Sequence, residues 1–416
     1  MSHLYEPFKP QDDAFGRLRT SEPFTLGDYK HRYSIDPDFI DLKFGVGAGV
    51  SFNRNLSSAI ISSGISTNGY AIHQTKRYHH YMPGKSQLIF NSFNFGAPQT
   101  NVIKRIGYFD NSDGIFLEQQ SNGVLNFVIR SSSGVGSSEQ RIPQSQWNKD
   151  RLDGNGVSGY SLDITKTQLN FIDFEWLGVG RVRCGFSIEG KNIIAHEFYT
   201  SNEDEVVYMS NPNLPVRTEI QNIGTQVGTG GSFYHICSSV MSEGGYNEVG
   251  REFSHTTNLR AVGVGTTVPV LAIKLKNSFK GFPNRATVRL EDISVFSVGS
   301  NVKYEVVKIK NFEGFVATGT WVSEDDESVV EYNQTATGIT TATYEDFMGG
   351  YASGESQNIN NPVATSSNLQ AGPTSKKNFL TQNFDSTNSE IFSVRVSNLG
   401  TDSTSVGVSL RWREIY

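Results

Sequence analysis

The stretch Gly107–Ser133, GYFDNSDGIFLEQQSNGVLNFVIRSSS, decides the fold class. DNSDG (Asp110–Gly114) and SNG (Ser121–Gly123) are turn sequences, because Asp, Asn, Ser and Gly each relieve the backbone where it reverses. IFLEQQ lies between them and VLNFVIR follows. In VLNFVIR, Leu125, Phe127 and Ile129 alternate with Asn126, Val128 and Arg130. A period of two marks a strand with one face buried, and two strands joined by a short turn pair as a hairpin.

The same text continues outward in both directions. TQLNFIDFEW, RVRCGFSIEGKNIIAHEFY and VRTEIQNIG repeat short apolar alternations broken by Gly and Asn. Closely spaced strands of this kind build antiparallel sandwiches rather than parallel sheets. Residues 46–255 are therefore expected to form a lectin-like, jelly-roll β-sandwich. Glu243–Gly265 reads as a crossover. VPVLAIKLKN, RATVRLEDISVFSV and VKYEVVKIKN then open a second β-sandwich over 256–416, with a bulge expected near Glu291–Asp292, where alternation slips. Residues 345–390, rich in Gly, Ser, Asn and Gln, are expected to make a surface excursion. EIFSVRVSNLG and SVGVSLRWREIY read as a closing hairpin around GTDS (Gly400–Ser403). The fold class is thus all-β. Residues 1–45 hold Pro7, Pro10, Pro23 and Pro37 with little periodicity, and are expected to form an extended docking arm.

Composition narrows function. A net charge of −6 over 416 residues argues against a nucleic-acid binder, whose phosphate contacts need a basic surface. MSHLYEPFKPQDD lacks a basic-then-apolar leader, and no apolar run approaches the ~20 residues that span a bilayer. A cytoplasmically made protein without membrane insertion is expected. Cys184 and Cys237 are the two cysteines. With no CxxC pair a thiolate zinc site is not expected, and two buried free thiols are the simplest reading, although the sequence leaves a disulfide open.

Phe171–Arg183, FIDFEWLGVGRVR, poses the one catalytic question. Asp173 and Glu175 share a strand face, ~6.6 Å apart along it. Paired carboxylates at about 5–5.5 Å cleave glycosidic bonds with retention. The strand resembles the E-x-D-x-E strand of laminarinase-type glycoside hydrolases, Asp173 matching the assisting acid and Glu175 the acid/base. Phe171, however, stands where that resemblance needs a nucleophile, and a phenyl ring cannot attack an anomeric carbon. The competing reading sends Ile172, Phe174 and Trp176 into a core. The returning strand then brings Arg181 and Arg183 beside Asp173 and Glu175 as cross-strand charge pairs, which set register rather than chemistry. No catalytic residues are expected. DNSDG reads as a plain turn rather than a calcium loop. The adjacent pair His79 and His80 points to opposite strand faces, a poor chelate, so neither a metal nor a cofactor is expected. SNPNLPVRTEI (Ser210–Ile220) reads as a rigid loop, for ligand or subunit contact or for neither.

AFGRLR-x-SEPFTL (Ala14–Leu26) resembles the N-terminal segment of a family of tailed-bacteriophage virion structural proteins. WNKDRLDGNGVSGYSLDITKTQLNFIDFEWLGVGRVRCGF, HEF, VYMSNPNLPVR and ICSSVMSEGGY resemble the core blocks of the same proteins, often labelled tail-fibre or structural proteins. The resemblance covers residues 11–300. It implies a virion component of the tail, fibre or capsid-decorating type, assembled in a host cytoplasm with other virion proteins. Phe15, Arg17, Leu18, Arg19, Phe24 and Leu26 are the expected partner-binding residues of the arm. A homo-oligomer, a trimer first, is expected, because symmetric closure reuses one modest interface. The alternatives are a carbohydrate-binding receptor module that touches host surface glycans, and a divergent glycoside hydrolase.

Overall fold

The computed structural model describes residues 22–134, 137–226, 228, 230–245, 250–310, 315–316, 320–339, 344–354, 365–368 and 379–416. Their secondary structure is β throughout except for one 3₁₀ turn, Gln144–Gln146. All pairings between strands are antiparallel. Among the described residues no helix is long and apolar enough to cross a membrane.

Two compact units divide the chain. The first comprises Met1–Ser34, Val46–Tyr70 and Tyr81–Asn247; the second comprises Ile35–Gly45, Ala71–His80 and Glu248–Tyr416. The division near residue 248 lies close to the 255/256 boundary expected from sequence, but two early segments belong with the late part of the chain.

In the first unit, one sheet runs Lys191–Phe198, Val182–Ile188, Gln168–Phe174, Gln87–Asn94, Gly231–Ser242, Ser58–Gly64 and Gly49–Asn53, with Phe24–Lys30 also paired to Gly231–Ser242. The other runs Ser138–Pro143, Leu125–Ser131, Gly114–Gln119, Val102–Phe109 and Val216–Asn222. Alternation sends Ile89, Phe93, Ile172, Phe174, Cys184 and Phe186 of the first sheet inward to meet Ile106, Tyr108, Leu117 and Phe127 of the second, all buried. The Phe127 ring centre lies 4.7 Å from that of Trp147 and 6.0 Å from that of Phe186, both tilted. Each such ring contributes about 1.5–3 kcal/mol on burial.

The strand Leu125–Ser131 departs from expectation in one respect: both of its faces are buried. Its outward side packs Val128 with Phe109 and Phe116. The guanidinium of Arg130 lies 5.5 Å and 5.1 Å from those two rings, and that of Arg217 lies 5.2 Å from Phe109. Arg105 then bridges Glu118 at 2.8 Å and Glu219 at 2.5 Å. Burial pushes both carboxyls up, but Arg105 with Arg141 at Glu118, and Arg217, Arg105 and Arg130 at Glu219, outweigh it and hold both below the usual range. Charged side chains thus roof an aromatic face that alternation alone assigns to solvent.

The expected extended arm is not what the described part of residues 1–45 forms. Phe24–Lys30 is a strand in register with Gly231–Ser242, Phe24 opposite Ser242 and Tyr29 opposite Ser238. Leu26 is buried in it, whereas Phe24 is half-buried. Ile40–Phe44 pairs with Tyr70–Thr75. Phe15, Arg17, Leu18 and Arg19 lie outside the described residues.

In the second unit, one sheet orders Arg251–Thr256, Thr404–Ile415, Thr287–Val298 and Thr365–Asn368; the other orders Val322–Ser323, Val330–Asn333, Thr267–Leu275, Ile391–Asn398, Val302–Ile309 and Tyr344–Ala352. Leu290, Val295 and Trp412 from the one and Leu271, Ile273, Val306 and Val394 from the other share a core. The register shifts between Leu290 and Asp292, placing the bulge where alternation slips. The closing hairpin expected around GTDS does not form. Ile391–Asn398 and Thr404–Ile415 lie in different sheets, so Gly400–Ser403 crosses between layers. Within the expected excursion, Tyr344–Ala352 is a nine-residue strand on Val302–Ile309.

Candidate functional site

The strand Gln168–Phe174 is central in its sheet, and alternation divides it cleanly. Asn170, Ile172 and Phe174 enter the core, while Leu169, Phe171 and Asp173 take the opposite face. Phe171 sits beside Phe90 on one neighbouring strand and Gly185 on the other. Its ring is 6.1 Å from that of Phe90. A Cβ at residue 185 would stand 2.6 Å from Phe171 Cζ, so the phenyl ring lies across the space that glycine leaves open. Where a nucleophilic carboxylate would be needed, the molecule holds a packed aromatic pair.

One step along, Asp173 faces Arg183, and Arg183 faces Glu197 on the next strand. Arg183 Nη2 donates to Asp173 Oδ2. Arg181, expected to serve Asp173 and Glu175, instead places Nη1 3.5 Å from Glu197 Oε1. Glu175 lies past the strand end, half-buried, where the tight connection through Leu177 and Gly178 begins. That connection closes with Gly180 N–H donating to Trp176 O at 2.8 Å, and it ends the ladder at Phe174 opposite Val182.

Glu197 is the acid that sequence reasoning passed over. Lys149 Nζ lies 3.0 Å from its Oε2, and the Tyr199 hydroxyl donates to the same oxygen. Burial pushes its carboxyl up, but Tyr199, Lys149 and Arg181 prevail and hold it below the usual range. Asn148 clamps the same residue by its backbone, donating Nδ2–H to Glu197 O and accepting from Glu197 N–H, both at 2.9 Å. Neighbouring His196 accepts from Asn148 N–H, and burial lowers its pKa to about 4.

The other acids are similarly held. Asp113 accepts from the amides and hydroxyls of Ser132 and Ser210, while Asp110 accepts from Ser112 and Asp113 N–H inside its turn. Asp150 accepts from Leu152 N–H at 2.8 Å and Ser158 N–H at 2.7 Å. A Cβ at Gly156 would meet its carboxylate at 1.9 Å, so the loop closes only over glycine there. Trp176 is a fastener: its Nε1–H donates to Met209 O at 3.0 Å. The Pro-rich loop is tied down in turn, as Asn213 accepts from Tyr81 N–H and the Tyr108 hydroxyl donates to Pro212 O.

Sequence blocks far apart thus close on one another. WNKD meets HEF, and FEW meets VYM. FTL (Phe24–Leu26) pairs with the end of ICSSVMS, where Gly245 N–H also donates to Glu22 O at 2.9 Å. Behind that pairing His31 Nε2 and His235 Nδ1 are 3.1 Å apart, and burial lowers the His31 pKa to about 4. Both cysteines are free; Cys184 is buried, but Cys237, expected to be buried too, is exposed.

No family model matches the sequence, and no curated protein does. Among solved structures, the chain is similar to the CBM2 module of the Lactobacillus casei BL23 phage J-1 evolved Dit, at 11% identity over 55% of this chain and 100% of that one, TM-score 0.34. A legume lectin-like domain from Entamoeba histolytica gives 11% identity, 55% and 99% coverage and a TM-score of 0.29. A Bacteroides ovatus GH16 protein gives 9%, 52% and 99%, and 0.35.

Proposed function

We propose that this chain is a structural component of a tailed-phage particle, of the tail, fibre or capsid-decorating type, and that it works by joining and presenting surfaces rather than by catalysis. The observation that carries the reading is the state of the Phe171–Asp173–Glu175 face. Asp173 is bridged to Arg183, and the third position is filled by Phe171 packed on Phe90. A retaining glycosidase needs two carboxyls free to reach a sugar; of the two on this face, Asp173 is held by Arg183, which supports the non-catalytic reading. The described residues of the blocks that resemble virion proteins help to fasten the first unit internally, which suits a part that must be rigid. Residues 1–21, with Phe15, Arg17, Leu18 and Arg19, are the segment assigned to bind other virion proteins, and a homotrimer is the assembly that suits such a part.

Mass spectrometry of purified particles tests this. Peptides from both units should be recovered at a stoichiometry comparable with other virion proteins. Recovery only from the soluble lysate, with none in particles, contradicts the reading.

A further inference from the structure

The same solvent-facing side of the first unit's sheet carries a pocket of about 580 Å³ at the opposite end of the strands from Asp173. Its floor is one row across three strands, Ser92, Leu169 and Ser187, with Leu169 directly opposite Ser92. Along Gln168–Phe174 that row is four residues, ~13 Å, from Asp173, so the pocket is separate from the acid–arginine pair. One wall is the loop from Ser161 to Gln168, and the other is the Ile188–Glu189 turn.

The walls are built before any ligand arrives. Asp163 Oδ1 accepts from both the amide and the hydroxyl of Thr165, and its carbonyl accepts from Gln168 Nε2–H at 2.6 Å. The Tyr160 hydroxyl donates to Glu189 Oε2 at 2.6 Å and fixes that carboxylate at the rim. Inside, the hydroxyls of Ser161, Thr167 and Ser187 have no hydrogen-bond partner among the described residues. Leu169, 37% exposed, leaves an aliphatic patch beside them.

We infer that this pocket binds a neutral sugar residue of a glycan. Unpaired hydroxyls and a fixed carboxylate suit the hydroxyls of a pyranose, and the aliphatic floor suits its C–H face. The volume falls within the ~300–1,000 Å³ of small-molecule sites. Two carboxylates, Asp163 and Glu189, stand against the single cation Lys166, which already lies 3.5 Å from Asp163. An anionic sugar or a phosphate would meet net repulsion. The inference goes beyond the virion reading and holds or fails independently of it.

Saturation-transfer NMR on the full chain, with glucose, N-acetylglucosamine and galacturonate as separate probes at millimolar concentration, tests it. Saturation should reach glucose or N-acetylglucosamine and not galacturonate. Ser187→Leu, which fills the floor, and Glu189→Gln, which keeps the shape, should each weaken binding about tenfold, the loss of one to two hydrogen bonds, without moving the melting temperature. If Ser187→Leu does not fold, Glu189→Gln alone carries the comparison. No transfer to either neutral sugar, equal transfer in the folded variants and the wild type, or galacturonate binding as well as glucose overturns the inference.

Discussion

Arg183 donates to Asp173 on the adjacent strand, joining two residues that face each other in the ladder between Gln168–Phe174 and Val182–Ile188. The Asp173 side chain is 12% exposed while that of Arg183 is 36% exposed. Removing the arginine therefore strands a carboxylate the fold has largely dried. Arg183→Ala should destabilise the protein by about 1–2 kcal/mol, and Asp173→Ala in the same background should recover part of that loss. Urea unfolding of the two singles and the double closes the cycle. Strict additivity would show that the pair is not coupled.

The neighbouring acid should be dispensable. Glu175→Gln is expected to leave stability within about 0.5 kcal/mol, and neither it nor the wild type should release reducing sugar from β-glucan. Turnover by the wild type that Glu175→Gln abolishes would re-open the hydrolase reading.

Two truncations separate tether from strand. Removal of residues 1–21 should leave thermal unfolding unchanged. Removal of residues 1–35 also takes the strand Phe24–Lys30 with buried Leu26, Tyr29 and His31, and should lower the melting temperature or cause aggregation. Equal melting curves for the two would mean that this strand adds nothing to the sheet.

Stability should fall as pH drops from about 6.5 towards 4. Burial lowers the pKa of His31 and of His196 to about 4 in the folded protein, against an ordinary ~6.5 unfolded. Between those values the unfolded chain binds more protons, so lowering pH favours it, by up to about 1.4 kcal/mol per pH unit for each group. About one pH unit above 6.5 and beyond, both are almost wholly neutral in either state and the effect fades. His31→Asn and His196→Asn should each flatten the slope seen in urea titrations at pH 7, 6 and 5.

Thiol labelling should be selective. Cys237 is exposed, its Sγ 3.0 Å from Ser92 Oγ, whereas Cys184 is buried and burial, with Asp173 nearby, pushes its thiol far up. A maleimide should modify one site in the native protein and the second only in denaturant.

The sequence made the strands legible where turns bracket a clean alternation, as in Leu125–Ser131 and Gln168–Phe174. It could not show that Arg130 and Arg217 would fold over Phe109 and Phe116, because alternation reports a face and not what covers it. The strand Phe24–Lys30 was hidden by a register shift between Thr25 and Gly27. The shift breaks the period of two, so that Leu26 and Tyr29 are buried three positions apart. Ile391–Asn398 and Thr404–Ile415 were both readable as strands, but a short polar link permits either a hairpin or a step between sheets, and only packing chooses. Face assignment put Arg181 and Arg183 on the side of Asp173 and Glu175, but which arginine meets which acid depends on register, and Arg183 stands opposite Asp173. Glu197 as the partner of Arg181 did not follow from face assignment, since it comes from a third strand and depends on how the next hairpin registers.

Electron microscopy of the intact particle shows whether this chain is part of it and what residues 1–21 touch. Several copies of the two-unit β protein should be found in the density, with residues 1–21 of each lying against a neighbouring virion protein. A particle with no density for this chain, or a chain whose first 21 residues touch only itself, would contradict the proposed role.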